Sequence, residues 1–126
     1  MVMAKTYENL EAWKKSIEFA AHIYNLSKKF PKEELYGLIS QIRRAAISIS
    51  SNIAEGAGRG SNKEFLRFVH ISLGSLNEVE SQIYVAHKLG YTKETDLLEI
   101  LKKIQELGNL LGGLCNYLKH KEQHKE

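Results

Sequence analysis

Residues 35–57 read LYGLISQIRRAAISISSNIAEGA, and this stretch decides the fold class. Its apolar residues recur at spacings of three and four, which places them on one face of a helix. That face comprises Leu35, Leu38, Ile39, Ile42, Ala46, Ile49 and Ile53. The segment Ile47-Ser48-Ile49-Ser50 alternates as a strand would, but helical phase continues on both sides of it. The sequence therefore predicts one long helix here.

Three further segments carry the same helical pattern, and Pro31 and two glycine-containing turns separate them. We predict helices over about residues 7–29, 32–57, 62–89 and 93–119, in a single domain over residues 1–126. Short connections favour an all-α, antiparallel up-down-up-down four-helix bundle. Ser61 and Glu64 form a capping box, Gly90 suits the end of the third helix, and Thr92 can cap the fourth. The charged tail after Leu118 is expected to fray.

The first and last helices each carry two apolar strips, which is more than one bundle seam requires. In the first helix these strips are Leu10, Trp13, Ile17, Ala20 and Tyr24, and Phe19, Ile23, Leu26 and Phe30. In the last helix Leu110, Leu114 and Tyr117 form the extra strip. The strips either pack on each other inside the bundle or remain exposed and pair with another copy. We favour a homo-oligomer, because large apolar patches on a monomer are uncommon.

Composition excludes several classes of protein. The chain has 126 residues, a formal net charge of +3 and one cysteine, so it has no intrachain disulfide and no cysteine cluster for zinc. Apolar runs are too short for a membrane span, and the first residues lack the layout of a signal peptide. We expect a cytoplasmic protein without cofactors or catalytic residues. Cys115 reads as a small core residue, and Gly108 and Gly112 as sites of close helix packing.

A polar seam is predicted between the second and third helices. It comprises Gln41, Ser48, Asn52, Glu55, Ser75, Glu78, Glu80 and Gln82. Ser72, Gly74 and Ser75 would let the two backbones approach. The seam is either a hydrogen-bond network that fixes helix register or a ligand-binding seam or polar lumen. Glu80 is expected to lie beside apolar residues, with Arg43 or Arg44 as its ion-pair partner.

Positive charge is concentrated in two places. Arg59, Lys63 and Arg67 surround the glycine-rich turn at residues 56–60, and Arg43 and Arg44 lie on the second helix. Copies arranged in a ring would repeat these residues. Phosphate contacts from such a surface would depend on salt and little on base sequence. These five residues are the candidate nucleic-acid-binding residues.

The motifs resemble a known family. Residues 35–49 and 51–56, together with Phe30-Pro31 and residues 64–68 and 74–80, are similar to the signature of bacterial four-helix bundle proteins encoded within 23S rRNA intervening sequences. The resemblance implies a ring-shaped homopentamer. It also implies kinship with the accessory variability proteins of diversity-generating retroelements, which bind nucleic acid and a reverse transcriptase. The chain departs from the family at Ile49-Ser50, where a proline is usual, so the second helix is expected to run straighter.

These observations support three hypotheses about function. The first is a non-enzymatic oligomeric scaffold that contacts RNA or DNA through phosphates. The second is an interaction module that docks a protein partner on exposed apolar strips. The third is an enzyme or small-molecule site in the polar seam.

Overall fold

Four α-helices account for most of the structure. The computed structural model describes residues 7–123, in which α1 spans Glu11–Ser27, α2 Leu38–Ala57, α3 Asn62–Lys88 and α4 Glu94–Gln123, with a short 3-10 turn at Lys32–Glu34. This described part contains no strand. The prediction of an all-α chain with four helices is confirmed, and the alternating residues 47–50 lie within α2.

Several helix boundaries differ from the sequence prediction. The first helix spans Glu11–Ser27 and not residues 7–29. The second helix begins at Leu38 and not at residue 32, because Pro31 is followed by the 3-10 turn. The carboxylate of Glu34 in that turn accepts a hydrogen bond from the Leu38 amide at 3.1 Å, which satisfies an N–H that has no partner within the helix. The fourth helix continues to Gln123, so the expectation that the chain frays after Leu118 is wrong for residues 119–123, and residues 124–126 lie outside the described residues. Leu118 is only 2% exposed, which anchors the last turns to the core.

Local interactions explain where α3 begins and ends. The Ser61 hydroxyl accepts from the Glu64 amide at 3.1 Å, which confirms half of the predicted capping box. Gly90 has φ +84° and terminates the helix as predicted. Its amide donates to the His87 carbonyl at 2.9 Å and the Tyr91 amide donates to the Ala86 carbonyl at 2.9 Å, as in a Schellman motif.

Two predictions about helix caps, one for α3 and one for α4, are wrong. The Glu64 carboxylate lies 3.3 Å from Arg67 and makes an ion pair there instead of closing the capping box. The Thr92 hydroxyl lies 2.9 Å from Nδ1 of His87, so it joins the end of α3 to the following turn and does not cap α4.

One apolar core joins the four helices, which contact one another in the cyclic order α1, α2, α3, α4. Branched residues dominate its centre. Ile23, Ile42, Ile49, Ile53, Val69, Val79, Ile83, Ile100 and Leu111 are fully buried. Each contributes about 1.5–3 kcal/mol relative to an exposed position. The strip from Phe19 to Leu26 forms the core face of α1, and Phe30 in the following turn is also buried. Ile17 on the other strip remains 44% exposed.

The α2–α3 contact is close at two places. The Ser72 hydroxyl donates to the Ile49 carbonyl at 2.8 Å across the helices. A Cβ added to Gly56 would lie 2.6 Å from Cβ of Phe68, so glycine is required there. Ser72 and Ser75 are buried at this contact, but a Cβ on Gly74 would meet no atom within 4 Å in the described chain. The prediction that Gly74 permits close approach was therefore wrong.

The glycines of α4 are likewise not explained by close packing. A Cβ added to Gly108 would make an ordinary 3.6 Å contact with Leu76, and one added to Gly112 would meet nothing within 4 Å in the described residues. Close helix packing was the wrong explanation for both residues.

Candidate nucleic-acid interface

A shallow cleft of about 420 Å³ lies on the outer side of α1 and α2. Its lining comprises Tyr24, Ser40, Arg43, Arg44 and Ile47. The polar groups of this lining are two guanidinium groups and two hydroxyl-bearing side chains, with no carboxylate among them. Such a surface attracts anions, because nothing within the lining neutralises its positive charge.

Arg43 is held in place by the last turn of α1. Its Nε donates to Oγ of Ser27 at 2.8 Å and its Nη2 donates to the Tyr24 carbonyl at 3.3 Å. The guanidinium carbon also lies 4.6 Å from the centre of the Tyr24 ring. A cation is favoured at this position, because unpaired carbonyls give a helix C-terminus negative character. Arg43 is therefore held in a fixed position by α1, and within residues 7–123 no carboxylate forms an ion pair with it.

Arg44 is exposed and forms no ion pair within residues 7–123. The expected pairing of Glu80 with Arg43 or Arg44 is absent from this part of the chain, because Arg43 turns toward α1 and Arg44 remains in solvent. Glu80 itself is half-buried on α3.

The second group of cations carries its own counter-ions. Arg59 lies 2.7 Å from the Glu55 carboxylate, and Arg67 makes its ion pair with Glu64. Both guanidinium carbons lie over the Phe68 ring, at 4.9 Å and 4.6 Å from its centre.

Lys63 is exposed and, within residues 7–123, has no ion-pair partner. Arg59, Lys63 and Arg67 together with Glu55 and Glu64 carry a net charge of about +1. These three cations are separated from Arg44 by about 20 Å along α2. The five predicted residues therefore form two separate sites.

The polar seam forms in part as predicted. The hydroxyl oxygens of Ser48 and Ser75 lie 2.5 Å apart across α2 and α3, and the Asn52 amide donates to the Ser48 carbonyl at 2.8 Å. The Gln82 amide donates to the Glu78 carboxylate at 3.3 Å, while Oε1 of Gln82 is buried without a partner in the described chain.

The remaining members of the predicted seam lie outside this network. Gln41 is exposed and Glu55 instead pairs with Arg59. The hydrogen bonds across α2 and α3 favour the interpretation of a network that fixes register.

A sequence model of the 23S rRNA-intervening sequence protein family matches residues 8–113. The chain belongs to this family. It is also similar to a solved structure, a protein of unknown function from the S23 ribosomal protein family of Bacteroides thetaiotaomicron VPI-5482. That similarity has 28% sequence identity and a TM-score of 0.77, and covers 83% of this chain and 95% of the other. A comparison with proteins of curated function gave no match.

In this family member, the single cysteine lies in a structural setting. Cys115 is buried in the core as predicted, and burial raises the pKa of its thiol, which disfavours the nucleophilic thiolate. Residues 7–123 contain no group of three histidine, cysteine, aspartate or glutamate side chains placed to hold a metal ion. No helix in the same range is both long and apolar enough to cross a bilayer.

Sequence reasoning missed the groups that position Arg43. Tyr24 was assigned to an apolar strip, and Ser27 had no assigned role. The sequence around Ser27 gives no indication of this contact, because a serine near a helix C-terminus is not part of any pattern that predicts a partner on the next helix. Its burial becomes visible only when α1 and α2 are packed together.

Proposed function

We propose that this member of the 23S rRNA-intervening sequence protein family is a non-enzymatic, oligomeric helical scaffold that contacts RNA or another nucleic acid through phosphates. The observation that carries the proposal is the α1–α2 cleft, where Arg43 and Arg44 lie together without a carboxylate. Arg43 is already ordered by Tyr24 and Ser27, so binding of a phosphate costs little side-chain entropy there.

The chemistry of the cleft suits a phosphate oxygen. Arginine presents several N–H donors in a planar fork that matches phosphate geometry, and the exposed Arg44 can turn toward a ligand. Tyr24 and Ser40 add hydroxyl groups at the same cleft. These groups would contact the phosphates of a nucleic acid and not its bases, so binding is expected to be largely independent of base sequence.

Assembly of several copies would repeat the positively charged cleft and strengthen the electrostatic attraction for a nucleic acid. We propose an antiparallel up-down bundle that forms a homopentameric ring, as the family resemblance implies. In support, several large apolar side chains are left in solvent: Ile17, Leu35, Tyr36, Ile47, Ile71, Tyr84, Val85, Leu89, Leu98 and Tyr117. Light scattering coupled to size exclusion tests assembly at micromolar concentration. A monomer would contradict it.

An alternative function is a protein-interaction module without nucleic-acid binding. One observation favours it: Tyr36 is 93% exposed and the neighbouring Leu35 is 48% exposed, next to the 3-10 turn. Aromatic side chains of this kind are frequent anchors at protein interfaces.

A salt-titrated binding experiment separates the two functions. The full chain is titrated with an arbitrary single-stranded RNA at about 50 mM and about 200 mM salt, where phosphate binding weakens steeply with salt. Arg44→Glu is expected to weaken binding strongly without affecting the fold. Lys102→Glu, at an exposed position on α4, is the matched control and is expected to bind nearly as the unmodified protein does.

Two results would overturn the nucleic-acid proposal. One is the absence of binding at the lower salt concentration. The other is an affinity that does not change with salt. Arg59→Glu is expected to have a smaller effect than Arg44→Glu, because Arg59 already pairs with Glu55.

A further inference from the structure

A second and larger cleft of about 590 Å³ separates α1 from α4. Its volume lies in the range of small-molecule sites, which commonly form between the helices of bundles. The lining comprises Lys15, Glu18, Phe19, His22, Lys103, Glu106, Leu107, Asn109 and Leu110. This cleft is distinct from the Arg43–Arg44 cleft and from the polar seam, and the proposed function does not use it.

The floor of this cleft is apolar. Phe19 is 3% exposed and Leu107 is 2% exposed, so both belong to the core, and the half-buried Leu110 continues the same surface. The α1 residues of the lining run from Lys15 to His22, a distance of about 10 Å along the helix. The floor therefore offers a strip long enough for a medium-length acyl chain.

One end of the cleft carries two nitrogen groups, those of Lys103 and His22, which are close enough to interact electrostatically. Lys103 and His22 are both half-buried, and neither makes a hydrogen bond or ion pair to another residue of the described chain. Burial lowers the pKa of His22, so its imidazole is neutral at pH 7 and offers one N–H donor. A half-buried ammonium beside such a donor is a good site for an anion.

Four acidic residues lie in or near this cleft. Asp96 and Glu99 interact electrostatically with His22, and Asp96 lies 4.0 Å from the Lys29 ammonium. The Glu18 carboxylate lies 3.6 Å from the Lys15 ammonium, which neutralises it. Glu99 and Glu106 are exposed, so solvent screens their charges more than that of the half-buried Lys103. Lys103 is therefore expected to attract an anion more strongly than Glu99 and Glu106 repel it.

We propose that the α1–α4 cleft binds a carboxylate that carries a medium-length acyl chain. The carboxylate head lies between Lys103 and His22. The chain extends from there over Phe19, Leu107 and Leu110.

The test uses three probes with the same chain and different heads, namely decanoate, decylamine and decanol, titrated into the full chain by calorimetry below their micelle concentrations. Decanoate is expected to bind most tightly. Lys103→Ala is expected to weaken decanoate about tenfold, the usual loss for a charged hydrogen bond. Lys102→Ala, the adjacent exposed lysine, is the control and is expected to leave the affinity unchanged.

A further variant gives the sign of the electrostatic effect. Glu106→Gln removes a negative charge from the rim and is expected to tighten decanoate and to weaken decylamine. Because both positions face the open cleft, circular dichroism is expected to show unchanged helix content in each variant. Methyl chemical shifts of Leu107 and Leu110 are expected to respond to decanoate.

Four results would overturn the proposal. Decylamine could bind as tightly as decanoate. Lys103→Ala could bind decanoate as the Lys102→Ala control does. Decanoate could give no saturable binding, or could leave the methyl shifts of Leu107 and Leu110 unchanged.

Discussion

Replacing Gly56 with alanine is expected to destabilise the fold where α2 meets α3. The added Cβ would lie 2.6 Å from Cβ of Phe68, 3.0 Å from Cδ1 of Phe65 and 3.3 Å from the Phe65 carbonyl oxygen. Carbon atoms prefer a separation of about 3.5–4.0 Å, so the two helices would have to move apart locally by about 1 Å. A rotamer change of Phe68 gives no relief, because its Cβ is attached directly to the α3 backbone.

The magnitude follows from two opposing effects. Overpacking costs about 1–3 kcal/mol, and a clash with backbone-linked atoms belongs at the upper end of that range. Alanine regains about 1 kcal/mol of helix propensity relative to glycine. The unfolding free energy of Gly56→Ala is therefore expected to fall by about 2 kcal/mol.

Gly112→Ala is the matched control, since it makes the same substitution in a helix where the added Cβ meets no atom within 4 Å in the described chain. It is expected to gain about 0.5–1 kcal/mol. Both variants are measured by urea unfolding followed by circular dichroism, at one protein concentration. The reasoning is refuted if Gly56→Ala is as stable as the unmodified protein while Gly112→Ala shows its expected gain.

The same unfolding assay tests three further side chains. Ser61→Ala is expected to lose about 1 kcal/mol, because the cap of α3 is removed; unchanged stability would mean that the hydroxyl contributes nothing. Arg43→Ala is expected to lose about 2 kcal/mol through its bonds to α1, whereas Arg44→Ala stays within about 0.5 kcal/mol, and equal losses would contradict the assignment of roles. Burial lowers the pKa of His22 below its ordinary 6.5, so the stability linked to this group is present above pH 6.5 and is lost as the pH falls through the folded-state pKa. His22→Asn is therefore expected to lose less stability than the unmodified protein between pH 7 and pH 5, and parallel curves would rule this out.

The sequence predicted the helices well where their signals are local. The spacing of Ile42, Ile49 and Ile53 identified the buried face of α2, and Gly90 marked the end of α3 because a positive φ favours glycine. Ser61 likewise carried its own signal as a cap. Each of these features depends on residues within a few positions of one another, so periodicity and capping rules are sufficient.

The start of α2 depends on a longer-range contact. Glu34 holds the Leu38 amide with one carboxylate oxygen while the other accepts from the Tyr91 hydroxyl at 2.9 Å. A predicted start at residue 32 followed from Pro31 and the apolar pattern alone. The later start of α2, at Leu38, depends in part on the contact between Glu34 and Tyr91. The spacing of apolar residues does not reveal a contact between positions so far apart in the chain.

In the candidate site, too, the features that depend on neighbouring residues were predicted and those that depend on tertiary contacts were not. The sequence identified Arg43 and Arg44 as cations on one helix, but their different roles depend on α1. Arg43 turns to the Tyr24 carbonyl and the Ser27 hydroxyl, and Arg44 does not. The α1–α4 cleft was also missed, because Lys103 and His22 become neighbours only through tertiary packing.

The hydrogen bond between Glu34 and Tyr91 joins positions that are 57 residues apart along the chain. A change at one of them alters which residues the other position can accept during evolution. Loss of the phenol frees a carboxylate beside the first turn of α2, and loss of the carboxylate leaves the phenol without its acceptor. Because Glu34 also accepts from the Leu38 amide, relatives that lack the glutamate are expected to have replaced the tyrosine as well, whereas the glutamate can persist without the tyrosine.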